Sequence, residues 1–162
     1  MIAEIALGYV TLARLVEMRV ARANTARLIA GGAVEASPGH YPVIIAMHLC
    51  WLGGLWWLAP GRAVVPGWLA LFAALQPLRV WVMLALGPRW TARIIAVPGE
   101  TLVRSGPYRW LRHPNYAIVV GEVASLPLAF GLNAMALGFS LANAVMLTIR
   151  IRAEEAALAD LR

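Results

Sequence analysis

The sequence predicts an all-α integral membrane protein of about five transmembrane helices, with a cytosolic loop and a C-terminal helix carrying its polar site. Three observations predict this. Of 162 residues, 61% are hydrophobic and 14% charged, where a soluble domain carries about 25% charged residues. The apolar residues fall in runs close to the roughly 20 residues a helix needs to cross a bilayer. All 14 basic residues are Arg, and most fall between or at the edges of those runs, as the positive-inside rule requires.

The first run, Ile2 to Val20, is interrupted by Glu4, Arg14 and Glu17. It either crosses, with its end charges reaching the headgroups, or lies partly at the interface. It lacks the basic start and small-residue cleavage site of a signal peptide and is expected to be a retained helix. Arg19, Arg22 and Arg27, then Gly31-Gly32 and Ser37-Pro38-Gly39, mark a polar segment. Pro42 to Ala59 is a clear span, closed by Pro60-Gly61-Arg62, and Val64 to Leu86 is a third, interrupted by Gln76, Pro77 and Arg79.

A polar loop from Gly87 to His113 holds Arg89, Arg93, Arg104, Arg109 and Arg112. Asn115 to Gly131 and Asn133 to Ile149 read as the fourth and fifth spans, joined by a tight turn. The tail, Arg150 to Arg162, reads as a helix leaving the membrane. The Arg-rich segments should share the cytosolic side, placing the N-terminus outside and the C-terminus inside. Five spans satisfy that alternation and leave no room for a second domain.

A formal charge of +6 does not indicate nucleic acid, because the arginines follow membrane topology. Cys50 lies alone in an apolar run, and no closely spaced His or Cys pair suggests a metal. Neither a phosphate-cradling glycine loop nor a nucleophilic Ser with partners is present.

The densest polar information lies in Gly106-Pro107-Tyr108-Arg109-Trp110-Leu111-Arg112-His113-Pro114-Asn115-Tyr116. Pro114 suits the first position of a helix, where a missing N–H costs nothing. His113 then lies beside the unpaired N–H groups and positive end of that helix, a place that can hold a carboxylate. The alternative is an interfacial belt in which Tyr, Trp, Arg and His only anchor the helix. Arg150 and Glu154, four apart, share a helix face with Glu155 beside them; they are either a solvated pair or part of the same site. Gln76, Arg79 and Glu122 are costly residues for a bilayer, and an Arg79–Glu122 pair serves packing or substrate binding. His40 and His48 flank the start of the second span.

These residues, in order, resemble the isoprenylcysteine carboxyl methyltransferase family: Gly106-Pro107-Tyr108, Arg112-His113-Pro114-Asn115-Tyr116, Glu122, Arg150-Ile151 and Glu154-Glu155. Gln76, Arg79, Leu86-Gly87, Arg89-Trp90-Thr91, Gly32-Ala33-Val34-Glu35 and Gly39-His40-Tyr41-Pro42 are similar to a bacterial branch acting on alkylresorcinols and alkylpyrones. The resemblance implies S-adenosylmethionine as methyl donor and a lipophilic acceptor entering from the bilayer of a bacterial cytoplasmic membrane. It implies that Tyr108, His113, Pro114, Tyr116 and Glu154 hold the cofactor in a region spanning residues 106–162. Residues 1–105 would form the acceptor side, and Arg150 and Glu154 would flank the reacting methyl. Gln76, Arg79, Glu122, His40 and His48 are candidates for acceptor contacts. For a hydroxyl acceptor the base would be Glu154, Glu122, His40 or His48; a carboxylate acceptor needs none.

Two other readings compete. Membrane sterol reductases share a C-terminal signature of this kind and use NADPH, but the sequence offers few extra basic positions for a 2′-phosphate. A small transporter or scaffold would place Arg79 and Glu122 along a pathway and leave the Gly106–Tyr116 run unexplained.

Overall fold

The computed structural model describes residues 1–36, 38–99, 101 and 103–157; the end of the tail, with Leu158 and Leu161, lies outside the described residues. The chain is mostly helical. Among the described residues five helices follow in order: α1 (Ile2–Ala30), α2 (His40–Leu58), α3 (Pro66–Leu86), α4 (Pro114–Ala129) and α5 (Asn133–Ala157). Between them lie strands β1 (Val34–Ala36) and β2 (Ile94–Ala96), and short 3-10 turns at Gly87–Arg89 and Gly106–Arg109.

The strands correct the all-α expectation. β1 and β2 pair antiparallel, with Glu35 opposite Ile95. Each is three residues long, too short to give a readable alternation, and the pairing joins segments nearly sixty residues apart. Arg93, just before β2, clamps the ribbon: its Nη1 donates to Glu35 Oε2 at 2.7 Å, and its guanidinium lies 4.7 Å over the Tyr41 ring at the start of α2.

α1 also departs from expectation. It runs on for 29 residues, so Arg22 and Arg27 belong to its last turns and not to a polar loop. The length reaches about 44 Å at 1.5 Å per residue. Helix α2, α3 with the turn that follows it, and α5 are long and apolar enough to cross a membrane. α1 carries too many charges, and α4, with 16 residues, is short.

α4 packs between α3 and α5 and is the most enclosed helix, burying Ile118, Glu122, Val123, Ser125 and Leu126. The apolar core lies toward the end of the bundle formed by the start of α1 and the α4–α5 turn, built from Leu7, Val10, Trp51, Leu55, Phe72, Leu126 and Phe130. Large apolar side chains also cover the outside, among them Leu12 on α1, Leu49 on α2, Leu84 on α3 and Leu141 on α5. Such a surface needs lipid to cover it.

Deep in the bundle, the interruptions in the first and third apolar runs meet. Arg79 Nε donates to Glu122 Oε1 at 2.9 Å and its Nη2 to Oε2, while Gln76 Nε2 donates to the same carboxylate at 3.0 Å. From α1, Arg14 reaches Glu122 at 3.2 Å, and Glu17 accepts from Arg14 at 2.6 Å and Arg79 at 3.3 Å. Two cations and two anions thus neutralise one another, and α1 joins α3 and α4 through charges that looked like flaws in a span.

Candidate functional site

The opposite end of the bundle, away from the apolar core, opens into a cleft of about 660 Å³, within the size range of small-molecule sites. Tyr108, His113, Asn115, Tyr116, Arg150 and Glu154 lie on its wall, facing Trp90 and Arg93 from the loop.

Local sequence seats each group. Gly106 has φ +56° and packs against α3, where an added Cβ would lie 3.1 Å from Ala85 Cβ and 3.3 Å from Trp81 Nε1. This turn buries Pro107 and aims Tyr108 at the cleft. Burial, and then the nearby Glu154 charge, push the Tyr108 phenol above its ordinary range, so it stays a neutral donor at physiological pH.

His113 is the N-cap of α4, its carbonyl accepting from Tyr116 and Ala117. Pro114 is buried at the first helical position and does not line the cleft. It fixes the start of α4, so that His113 and Tyr116, three apart, fall on one face. Their rings stack with centroids 5.3 Å apart and 15° between planes.

On α5, Arg150 and Glu154 do not pair directly. The Tyr116 hydroxyl joins them: it donates to Glu154 Oε2 and accepts from Arg150 Nε at 2.9 Å. Arg150 is buried, and its Nη2 also donates to the Ala92 carbonyl at 2.5 Å, tying α5 to the loop before β2. His113 Nδ1 lies 3.9 Å from Glu154 and Nε2 3.8 Å from Glu155.

Among the described residues, three on the cleft keep buried polar atoms without a hydrogen-bond partner: His113 Nε2, Asn115 Oδ1 and Trp90 Nε1. Such atoms are rare in native folds, and a group of them in one cleft points to a ligand with complementary donors and acceptors.

Sequence reasoning missed other parts. Asn115 and Trp90 stood in the motif without a role. The cleft carries six arginines at 89, 93, 104, 109, 112 and 150, which corrects the expectation of few basic positions; they come together only when the loop folds over the helix ends. Leu28 and the loop before residue 106 supply much of the wall, so the cleft draws on both regions of the chain. Gln76, Arg79 and Glu122 lie apart from it, in the buried ion cluster. His48 bonds the Ile44 carbonyl at 2.9 Å and lies within electrostatic reach of that cluster. His40 opens α2, and its side chain lies outside the described residues.

Fold and site together define a helical membrane protein with a polar, ligand-sized cleft at one end of its bundle. Residues 68–160 match the isoprenylcysteine carboxyl methyltransferase (ICMT) family, and the chain belongs to that family. It is 38% identical over 160 residues, 91% of this chain and 90% of the other, to the uncharacterized protein YpbQ of Bacillus subtilis (strain 168). The protein is therefore a membrane methyltransferase. The matched region covers most of α3 and all of α4 and α5, and with them Tyr108, His113, Tyr116, Arg150 and Glu154.

Proposed function

We propose that the protein is an S-adenosylmethionine-dependent O-methyltransferase acting on a lipophilic acceptor dissolved in the membrane, such as a phenolic lipid, an alkylpyrone or an isoprenylated compound. The observation that carries the reading is the Tyr116 hydroxyl bridging Arg150 and Glu154 inside the cleft at the start of α4. The residues fit the donor. Its ammonium and ribose hydroxyls suit the Glu154 carboxylate, its carboxylate suits the arginines and the N-terminal end of α4, and its sulfonium suits aromatic faces. The unpartnered atoms of His113, Asn115 and Trp90 supply further donors and an acceptor.

When bound, the donor supplies an activated methyl group, transferred as the acceptor oxygen forms the new O–C bond and the S–C bond breaks with its electron pair left on sulfur. The chain's own task is positioning and exclusion of water. Arg150, fixed by Tyr116 and Ala92, is oriented to hold an anionic or polarised acceptor oxygen. For a hydroxyl acceptor, Glu154 takes the proton, since Glu122 and His48 lie away from the cleft. A carboxylate acceptor loses no proton.

In this reading all five helices cross, the N-terminus lies outside, and the cleft faces the cytosol of a bacterial cell. The gathering of six arginines at one end of the bundle supports that orientation. The internal pairing of Arg14 and Glu17 supports α1 as a span.

Calorimetry on purified protein in detergent tests the donor. S-adenosylmethionine should bind, and His113→Ala and Glu154→Ala should each weaken it. The cleft arginines favour a phosphate-bearing nucleotide as a second reading, so NADPH is the control; binding of NADPH without the methyl donor would replace this proposal with a reductase. Incubation with labelled donor and a lipid extract then identifies the acceptor as whichever lipid gains label.

A further inference from the structure

The run from Gly106 to Tyr116 has two faces, and the site described above uses one of them. Tyr108 and His113 turn toward the cleft, while the four residues between them, Arg109, Trp110, Leu111 and Arg112, are all exposed. Trp110 is 68% and Leu111 54% exposed, so two large apolar side chains are displayed between two cations. Arg104, a little upstream on the rim of the cleft, is exposed as well.

Trp110 meets Trp81 of α3 edge-on, with ring centroids 5.8 Å apart and 61° between planes. Trp81 is itself exposed, on the outside of a helix apolar enough to span a membrane. It lies about one and a half turns before the end of α3 at Leu86. The indole pair therefore marks the level where hydrocarbon gives way to headgroups, the depth at which Trp concentrates. The cations at that level are poorly compensated. Arg104 and Arg109 have no hydrogen-bond or ion-pair partner among the described residues, and Arg112, its side chain 78% exposed, reaches Glu155 only at 3.8 Å.

We propose that Arg104, Arg109 and Arg112, with Trp110 and Leu111, bind the headgroup of an anionic phospholipid in the leaflet at the cleft end of the bundle. Charge complementarity selects this occupant. A zwitterionic headgroup brings its own ammonium and leaves the guanidiniums uncompensated, whereas an anionic one neutralises them and each basic residue adds to the attraction. Trp110 and Leu111 give the apolar contact that a lipid offers and a dissolved phosphate does not. The bound lipid also steadies the cleft. Gly106 is wedged against Trp81 and Ala85 at one end of the segment and Pro114 opens α4 at the other, so restraint on the outer face is passed to Tyr108 and His113. This coupling to donor affinity rests on the methyltransferase reading above; the lipid site does not.

Native mass spectrometry of the full chain, equilibrated with equal amounts of phosphatidylglycerol and phosphatidylcholine, tests the site. Phosphatidylglycerol should be retained in roughly tenfold preference, and Arg104→Gln with Arg109→Gln should bring the two lipids close to parity. Leu111→Ser should weaken retention without changing helix content by circular dichroism. Equal retention by the parent chain, or an undiminished preference in the double variant, overturns the proposal. Displacement of the lipid by millimolar inorganic phosphate assigns the arginines to a soluble anion and overturns it too. Calorimetry in nanodiscs tests the coupling: S-adenosylmethionine should bind severalfold more tightly with phosphatidylglycerol present than in phosphatidylcholine alone, and the double variant should lose that difference. Equal donor affinity in both membranes overturns the coupling. A lipid preference without donor binding in either membrane upholds the lipid site and removes the methyltransferase reading instead.

Discussion

Arg79 of α3 and Glu122 of α4 meet side-on, two guanidinium nitrogens against two carboxylate oxygens, with both residues at most 5% exposed. Removing one partner leaves the other charged and buried, at a cost of about 3–5 kcal/mol. Arg79→Leu or Glu122→Leu should therefore sharply lower thermal stability in detergent. The double variant should lose less than the sum of the two, as read in a double-mutant cycle.

The Arg93–Glu35 pair offers the contrast. It closes the strand ribbon with Arg93 at 40% side-chain exposure, and exposed pairs are worth at most about 1 kcal/mol. Glu35→Gln should shift unfolding far less than either charge substitution in the bundle. Its small effect should shrink further in high salt.

Tyr116→Phe keeps the ring stacked on His113 and removes only the hydroxyl between Arg150 and Glu154. Hydrogen bonds to charged groups contribute about 1.5–3 kcal/mol, so donor affinity should fall by roughly ten- to a hundredfold. Calorimetry on the variant, with circular dichroism confirming an unchanged helix content, measures this. Donor binding equal to the parent's would mean that the bridge does not organise the site.

Gly106→Ala places a Cβ on a residue at φ +56° and within 3.1 Å of Ala85. Strain of this kind costs about 1–3 kcal/mol. The turn that aims Tyr108 should loosen, lowering donor affinity more than global stability. Comparing calorimetry with the unfolding midpoint separates the two effects.

Asn24→Leu removes the side chain that donates to the Trp90 carbonyl and to the Gly87 carbonyl, the latter keeping the Trp90 backbone N–H as a partner. A buried carbonyl that loses its donor costs about 1–3 kcal/mol. The variant should be less stable, and its loop from Arg89 to Ala96 should exchange amide hydrogens faster, as hydrogen-exchange mass spectrometry would show.

Much of this protein was legible in the chain. Composition and the spacing of apolar runs established a helical membrane protein, because lipid admits few alternatives to long apolar helices. The ordered run from Gly106 to Tyr116, with Arg150 and Glu154 beyond, marked residues that meet in the cleft through its family resemblance; spacing alone put Arg150 and Glu154 on one helix face and left an interfacial belt open for the rest. Pro114 announced the start of α4 for a local steric reason.

Tertiary structure decided the rest. Arg14 and Glu17 look like defects in a span until α3 and α4 bring Arg79 and Glu122 against them, because charge compensation in a bundle is a property of neighbours distant in sequence. The β1–β2 ribbon and the six arginines around one cleft arise in the same way, from a loop folded across the helix ends. Even Arg150 and Glu154, adjacent on one face of α5, are joined by the hydroxyl of Tyr116 from another helix. Helical periodicity is written locally and can be read from one segment; a site shared among elements exists only once they pack.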